Sequence, residues 1–572
     1  MTLKKRPNIL IIMTDEERFP PVYENEEAKA YRVKHSKGRL AIQKHGLEFQ
    51  KHYTAATACA PARATFYTGQ YPSLHGVSQT PGMAKSSFDP SQFWLDPKTV
   101  PTLGHYFRAG GYRTFYKGKW HASDADLPVP GTRNALMSNG TDGKAYPERV
   151  DQYRNANRLD QFGFNGWIGP EPHGSLQAND GSVRDPGFAQ QVCDLLKDLD
   201  RQACENKGSD EPWLMVSSFV NPHDIVFSGL NLYGINWFPR FQEMVDNNEL
   251  PYIEPAPTHE ENMETKPRAQ RDYRLQYPKM YMPQPMNQEY YQFYYYLMAE
   301  VDTHIHRVYE TLSGCSFFKD TIVVLTADHG DMLGAHGGMQ QKWFNAYDET
   351  VHVPLTISNP RLFQKPQTTQ MLTSHIDILP TLLGMADIDV DGAMKKLKVT
   401  HTEVREPVGR NLWHNITAND MDVKTDAPIY FMTDDEVETG LNQTNVITGN
   451  QYRSVIEPKH VESAITWLPG PKGPELWKYN RYFDNPRFWK SGPGNQTNNI
   501  DEPLVPDEHE CYNLTQDPLE LDNRVSPNSP NPLTDEERER FQQMLDQQRD
   551  AKRLVPKNLN YEQILEQAPL RD

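Results

Sequence analysis

The chain has 572 residues, too many for one ordinary core at roughly 150 residues per domain. Its 11% aromatics and clear apolar runs exclude a disordered chain, although mean hydropathy is -0.74. A formal net charge of -17 argues against nucleic acid or an anionic membrane as a partner, and five scattered cysteines form neither a disulfide framework nor a zinc pattern, which fits a reducing compartment.

The N-terminus places basic residues before an apolar run, as a signal peptide does. Ile9–Met13 is too short for such a segment, and Asp15 to Arg18 follow it without a small-residue cleavage site. No stretch approaches about 20 apolar residues, so no membrane span is expected, and the sequence reads as a cytoplasmic enzyme. Sequons at Asn139, Asn415, Asn442, Asn495 and Asn513 are then accidents of an Asn- and Thr-rich loop composition.

Four apolar runs lead into polar residues: NILIIM into Thr14-Asp15, YRTFY into Lys117 to His121, WLMVSSFV into Asn221 to Asp224, and TIVVLT into Ala327 to Asp331. Runs of this length, bounded by turn residues, suit buried strands of a parallel sheet. Helical patterns at Thr102–Ala109, Phe188–Leu199 and Gln288–Leu312 lie between them, and the alternation implies an α/β fold with crossover connections. Sites in such sheets form outside the carboxyl ends of the strands, where these Asp, Lys and His residues fall.

Pro81 to Thr99, Ala122 to Pro186 and Asn231–Asn287 read as long loops, the kind that wall or cover a site. After residue 425 the texture changes to short strand-like pieces, IYFMT and YRSVIE, and then a charged helical stretch, Thr534–Arg553. The expected division is a catalytic domain over 1–425 and a smaller α+β subdomain over 426–572, whose helical tail is a candidate homo-oligomer contact.

CAPARATFYTG, Cys59 to Gly69, contains C-x-P-x-R, the motif by which type I sulfatases have their cysteine oxidised to formylglycine. Further landmarks follow in order. NILIIMTDE resembles the family's opening metal-binding strand, and GYRTFYKGKWH its Lys/His signature. TADHGDMLGAHG is similar to the second metal motif, Lys342 and YDETVHVPL to the lysine-bearing segment, and HIDILPTLL and CYNLTQDPLELDN to later landmarks. The chain is thus identified as a member of the type I sulfatases of the alkaline phosphatase superfamily, with the resemblance running from about residue 6 to about residue 525. The implied fold is an alkaline-phosphatase-like mixed sheet flanked by helices, with a smaller C-terminal α+β subdomain.

The resemblance implies hydrolysis of sulfate monoesters, aryl sulfates first, by the formylglycine derived from Cys59, with a formylglycine-generating maturase as a partner. Asp15, Cys59, Asp328 and His329 become the metal ligands. Arg63 and Lys119 anchor the aldehyde hydrate, His121 helps eject sulfate, and His223 and Lys342 bind sulfate oxygens. Hard donors suit calcium, magnesium or manganese, and the imidazole of His329 favours manganese with calcium retained. Many family members have two aspartates in the first motif and Asp-Asn in the second. This chain has Asp15-Glu16 and Asp328-His329, which leaves Glu16 open as a ligand and keeps a phosphonate monoester or phosphodiester hydrolase as the alternative. Of the other histidines, His75 is a candidate to approach the site from behind the ligands, His336 a turn residue and His375 a packing or capping residue.

Overall fold

The computed structural model describes residues 6–82, 85–172, 177–205, 211–233, 244, 249–281, 283–418, 427–437, 443–445, 448–484 and 505–557. Its centre is a sheet of β1 (Asn8–Asp15), β2 (Gly46–Tyr53), β3 (Arg113–Gly118), β4 (Trp213–Pro222), β5 (Thr321–Ala327), β6 (Leu355–Ser358) and β7 (Gln367–Ser374) in the order β3-β4-β1-β5-β6-β2-β7. Only β6 runs against its neighbours, antiparallel to both β5 and β2. The sheet is therefore mixed, and six strands deliver their carboxyl ends to one edge.

The four apolar runs form β1, β3, β4 and β5, which are adjacent. In β1 side chains alternate between the two faces, as the strand period of two requires. Ile9, Ile11 and Met13 join Leu214, Val216, Ile322 and Val324 on one face. Leu10 and Ile12 join Met215, Val323 and Leu325 on the other. Each fully buried side chain of this kind contributes about 1.5–3 kcal/mol, so a run of five fixes the strand in the interior of the sheet. β3 is an edge strand, and its burial alternates accordingly, with Arg113 and Phe115 partly exposed.

Helices cover both faces. Gly181–Cys204 and Gln288–Ser313 pack together over one face, and Cys59–Thr68, Leu103–Ala109 and Ile378–Met385 lie over the other. Thr102 caps the Leu103–Ala109 helix, and Asn287 caps Gln288–Ser313 through Tyr290 N. The expected Phe188–Leu199 helix begins earlier, at Gly181, because Asp180 accepts from Val183 N and so starts it upstream of Pro186. Two stretches read as loops hold helices: Pro147–Ala156 in the first and Arg268–Met280 in the second. The polar face of each hid its period.

The C-terminal part is a four-stranded antiparallel sheet in the order β13-β12-β11-β8. Its strands are β8 (Ile429–Thr433), β11 (His460–Gly470), β12 (Gly473–Phe483) and β13 (Glu508–Asn513), while β9 (Gln443–Thr444) and β10 (Gln451–Tyr452) form a separate ribbon. IYFMT is β8, as expected. YRSVIE contributes only Tyr452 to a strand, whereas the long hairpin β11–β12 went unread in a Pro- and Gly-bearing sequence. The helix Asp535–Lys552, opened by a Thr534–Glu537 capping box, lays Phe541 and Leu545 on the sheet beside Tyr479. Its buried face is thus spent within its own subdomain. The boundary drawn at 425/426 falls in 419–426, outside the described residues, as do the sequons at Asn442 and Asn495 and the tail beyond 557.

Candidate active site

Four strand ends and one helix converge on Cys59. Asp15 ends β1, Lys119 follows β3, His223 follows β4, and Asp328 and His329 follow β5. Cys59 opens the helix after β2, and every residue of that helix is buried. The close approach of β3 to β4 requires glycine at position 118. Its φ is +103°, and a Cβ there would lie 1.8 Å from the Ser218 carbonyl oxygen. Lys119 N then donates to that same oxygen at 3.0 Å, which aims Lys119 back toward β1.

Donor atoms of Asp15, Cys59, Asp328 and His329 all lie within 4.8 Å of one another, and all four residues are buried. The Cys59 thiol meets His329 Nε2 at 3.0 Å and Asp15 Oδ1 at 3.6 Å. His329 Nδ1 is 2.9 Å from the Gly330 carbonyl oxygen, to which it donates, so Nε2 keeps its lone pair for the cluster. Two carboxylates, an imidazole and a sulfur or oxygen atom in this arrangement fit a divalent cation. A second set, Asp15, Glu16 and His223, also has donors within 4.8 Å.

Fixed cations surround the acids. Arg63 uses its whole fork: Nε donates to Asp328 Oδ2 at 2.8 Å, one terminal nitrogen to Asp15 Oδ2 at 2.9 Å, and the other to the Lys119 carbonyl at 2.7 Å and Ser218 Oγ at 2.9 Å. Lys119 Nζ lies 2.7 Å from Asp15 Oδ2. Burial would raise the Asp15 carboxyl, but Lys119 and Arg63 hold it well below the usual carboxylate range. Burial, then the Lys119 ammonium, keeps the His223 imidazole well below its ordinary range, so it stands neutral. Its Nδ1 is buried and meets no hydrogen-bond partner among the described residues.

Lys342 pairs with Glu16 Oε2 at 2.9 Å. Glu16 has φ of +68°, which turns its side chain toward Lys342, and burial pushes its carboxyl well above the usual range. His121, with φ of +51°, is buried, and its ring lies 6.3 Å from that of Trp94.

Three residues that hold this frame were given no role in the sequence, although Asp224 was placed at a strand's carboxyl end. Glu171 accepts from Trp120 N at 2.9 Å and His121 N at 3.0 Å. Asp224 accepts from Gly181 N and Ser182 N, which ties the turn at His223 to the long helix. Ser218 had a visible signal, a Ser-Ser pair inside an apolar strand. Glu171 had none, because it sits in an irregular stretch.

The three other histidines weighed in the sequence lie in packed positions. His75 accepts from Val77 N and meets Thr65 Oγ1 at 3.1 Å, and burial pulls it down to about 3. His336 stacks on Tyr347, and His375 packs edge-on to Phe66. Asn139 and Asn513 are buried in hydrogen-bonded positions, so those two sequons belong to the fold.

The sulfatase family model matches residues 7–388, and the chain belongs to that family as a type I sulfatase, a sulfuric ester hydrolase. It is 28% identical over 404 residues to the uncharacterized sulfatase YidJ of Escherichia coli, covering 67% of this chain and 69% of that protein. It is 26% identical over 421 residues to the choline-sulfatase of Rhizobium meliloti, covering 70% and 73%. Among solved structures, BT1596, a 2-O GAG sulfatase, shares the fold with a TM-score of 0.56 at 19% identity, over 98% of this chain and 92% of that one. The phosphonate monoester hydrolase of Agrobacterium radiobacter shares it at 0.55 and 18%, over 95% and 96%. Among the described residues, no helix is long and apolar enough to cross a membrane.

Proposed function

We propose that the protein hydrolyses small sulfate monoesters, aryl sulfates first, with Cys59 acting after conversion to formylglycine. The carrying observation is the Cys59 sulfur, 3.0 Å from His329 Nε2 and 3.6 Å from Asp15 Oδ1. That sulfur stands where an oxygen of the hydrated aldehyde would sit. The hydrate offers one hydroxyl to attack sulfur as the ester S–O bond breaks and the alcohol leaves, and a second whose deprotonation expels sulfate and restores the aldehyde, a step that serine or cysteine lacks. A divalent cation, calcium or manganese with magnesium in the same donor class, would be held by Asp15, Asp328, His329 and residue 59, and supplies the positive charge that lets an anionic ester be attacked.

The chain's own groups do the remaining work. Arg63 fixes both acids, and Lys119 is placed to bind the hydrate beside Asp15. His121 takes the proton from the remaining hydroxyl as sulfate leaves. Neutral His223 donates a hydrogen bond to a sulfate oxygen, and Lys342, held by Glu16, supports the leaving oxygen. Cys59 is only 1% exposed, which favours a small ester over an internal position in a polymer. The named choline-sulfatase relative supports the same size class.

A second reading, hydrolysis of phosphonate monoesters or phosphodiesters, rests on His329 in place of the amide common in the family. Turnover of 4-nitrophenyl sulfate and 4-nitrophenyl phenylphosphonate by the modified enzyme separates the two. Higher kcat/KM on the sulfate supports the main reading, and higher kcat/KM on the phosphonate supports the second.

A further inference from the structure

The helix that carries Cys59 has no cap of its own, because Ala58 at its N-cap position has no side chain that can accept. Its first main-chain N–H groups are met from elsewhere. Asp435, two residues beyond β8, accepts from Ala58 N at 3.1 Å through Oδ2 and from Thr80 N at 3.0 Å through Oδ1. Thr80 Oγ1 in turn accepts from Ala60 N at 3.3 Å. Lys85 Nζ braces Asp435 Oδ1 at 3.0 Å, and both side chains of that pair are fully buried. Thr433 Oγ1 donates to the Thr57 carbonyl at 2.6 Å and accepts from Asp435 N at 3.2 Å. A negative charge at a helix N-terminus also complements the helix dipole.

We propose that Asp435 is a positioning residue for the reaction: supplied by the C-terminal sheet, it fixes the main chain on the N-terminal side of Cys59 and so sets the distances from residue 59 to Asp15 and His329. The inference rests on the reading of Cys59 as the nucleophile. It makes the small subdomain part of the catalytic apparatus, although Asp435 touches no reacting atom. Displacement of a reacting group by about 1 Å costs on the order of 100-fold in rate.

The test uses the full-length, modified enzyme. Asp435→Asn keeps the side chain's size and one acceptor oxygen, and loses the charge that holds Lys85. Thr433→Val removes the bond to Thr57 with little change of volume. Both are assayed on 4-nitrophenyl sulfate, with the converted fraction of Cys59 read by peptide mass spectrometry. Per modified enzyme, Asp435→Asn is expected to lower kcat about 10- to 100-fold, with KM within about threefold of the parent. Thr433→Val is expected to lower kcat in the same direction by less. A merely structural role would reduce yield or melting temperature and leave kcat per modified, folded enzyme unchanged, and that result in both variants overturns the inference. Where Asp435→Asn does not fold, Thr433→Val decides. Cys59→Ala is run alongside: full turnover there removes the nucleophile reading itself, whereas an inactive Cys59→Ala with parent kcat in both other variants removes the positioning role alone.

Discussion

Arg63 and Asp15 meet at 2.9 Å with neither side chain exposed to solvent. They are 48 positions apart in sequence, one at the end of β1 and one in the helix that follows β2. Buried charges are tolerated only where every donor and acceptor is used, and Arg63 uses all three of its nitrogens. Arg63→Met leaves Asp15 and Asp328 facing each other without their common partner. The expected cost is about 3–5 kcal/mol of folding stability and loss of most turnover. Urea unfolding at neutral pH measures the first, and a variant within about 1 kcal/mol of the parent contradicts the assignment.

A buried carboxyl should make stability depend on pH. Burial, then Asp126, pushes the Glu171 carboxyl from 4.5 up to about 7. Because the folded value lies above the unfolded one, its contribution to stability is complete below about pH 4.5 and is lost as pH rises through about 7. The difference is about 3 kcal/mol, at roughly 1.4 kcal/mol for each pH unit that separates the folded and unfolded values. Asp126 is pushed to about 7 as well, so the parent keeps part of its slope when Glu171 is replaced. Glu171→Gln should therefore show a smaller fall in unfolding free energy between pH 5 and pH 8 than the parent. An equal fall in both would remove the role given to burial at this position.

Metal removal should act on stability as well as on rate. Asp15, Asp328 and His329 come from two different strand ends, so a cation that binds only the folded arrangement stabilises it, by about 2.7 kcal/mol at 100 times its dissociation constant. Chelation followed by desalting is expected to lower the melting temperature, and manganese or calcium to restore it. An unchanged melting temperature after metal analysis has shown an emptied protein would speak against this site.

Glu16 is paired with Lys342 at 2.9 Å, while the four-residue donor set forms without it. Glu16→Gln should keep close to one equivalent of metal by elemental analysis while raising KM for the sulfate ester several-fold through the loosened lysine. Loss of the metal in this variant would instead make Glu16 a ligand, by way of the set it shares with Asp15 and His223.

Much of this arrangement was legible in the sequence for a physical reason. A strand buried on both faces must be a continuous apolar run, so β1, β4 and β5 announced themselves, and the polar residues after them could only fall at the carboxyl edge. What stayed hidden depends on contacts far apart in the chain. Glu171 holds the main chain at His121 from 50 residues away, and no local pattern marks an acceptor for backbone N–H groups. The helix Arg268–Met280 was missed because its exposed, charged side masks the buried Tyr273 and Tyr277. The hairpin β11–β12 was missed because its Gly470–Gly473 turn reads as loop composition.

The central claim is that Cys59 acts as formylglycine on a sulfate ester. Its most direct test is peptide mass spectrometry across Cys59 to Arg63, joined to the rate on 4-nitrophenyl sulfate in preparations with different converted fractions. The account predicts a peptide lighter by the thiol-to-aldehyde difference and turnover proportional to the converted fraction. Full turnover by protein in which Cys59 is wholly unconverted would contradict it.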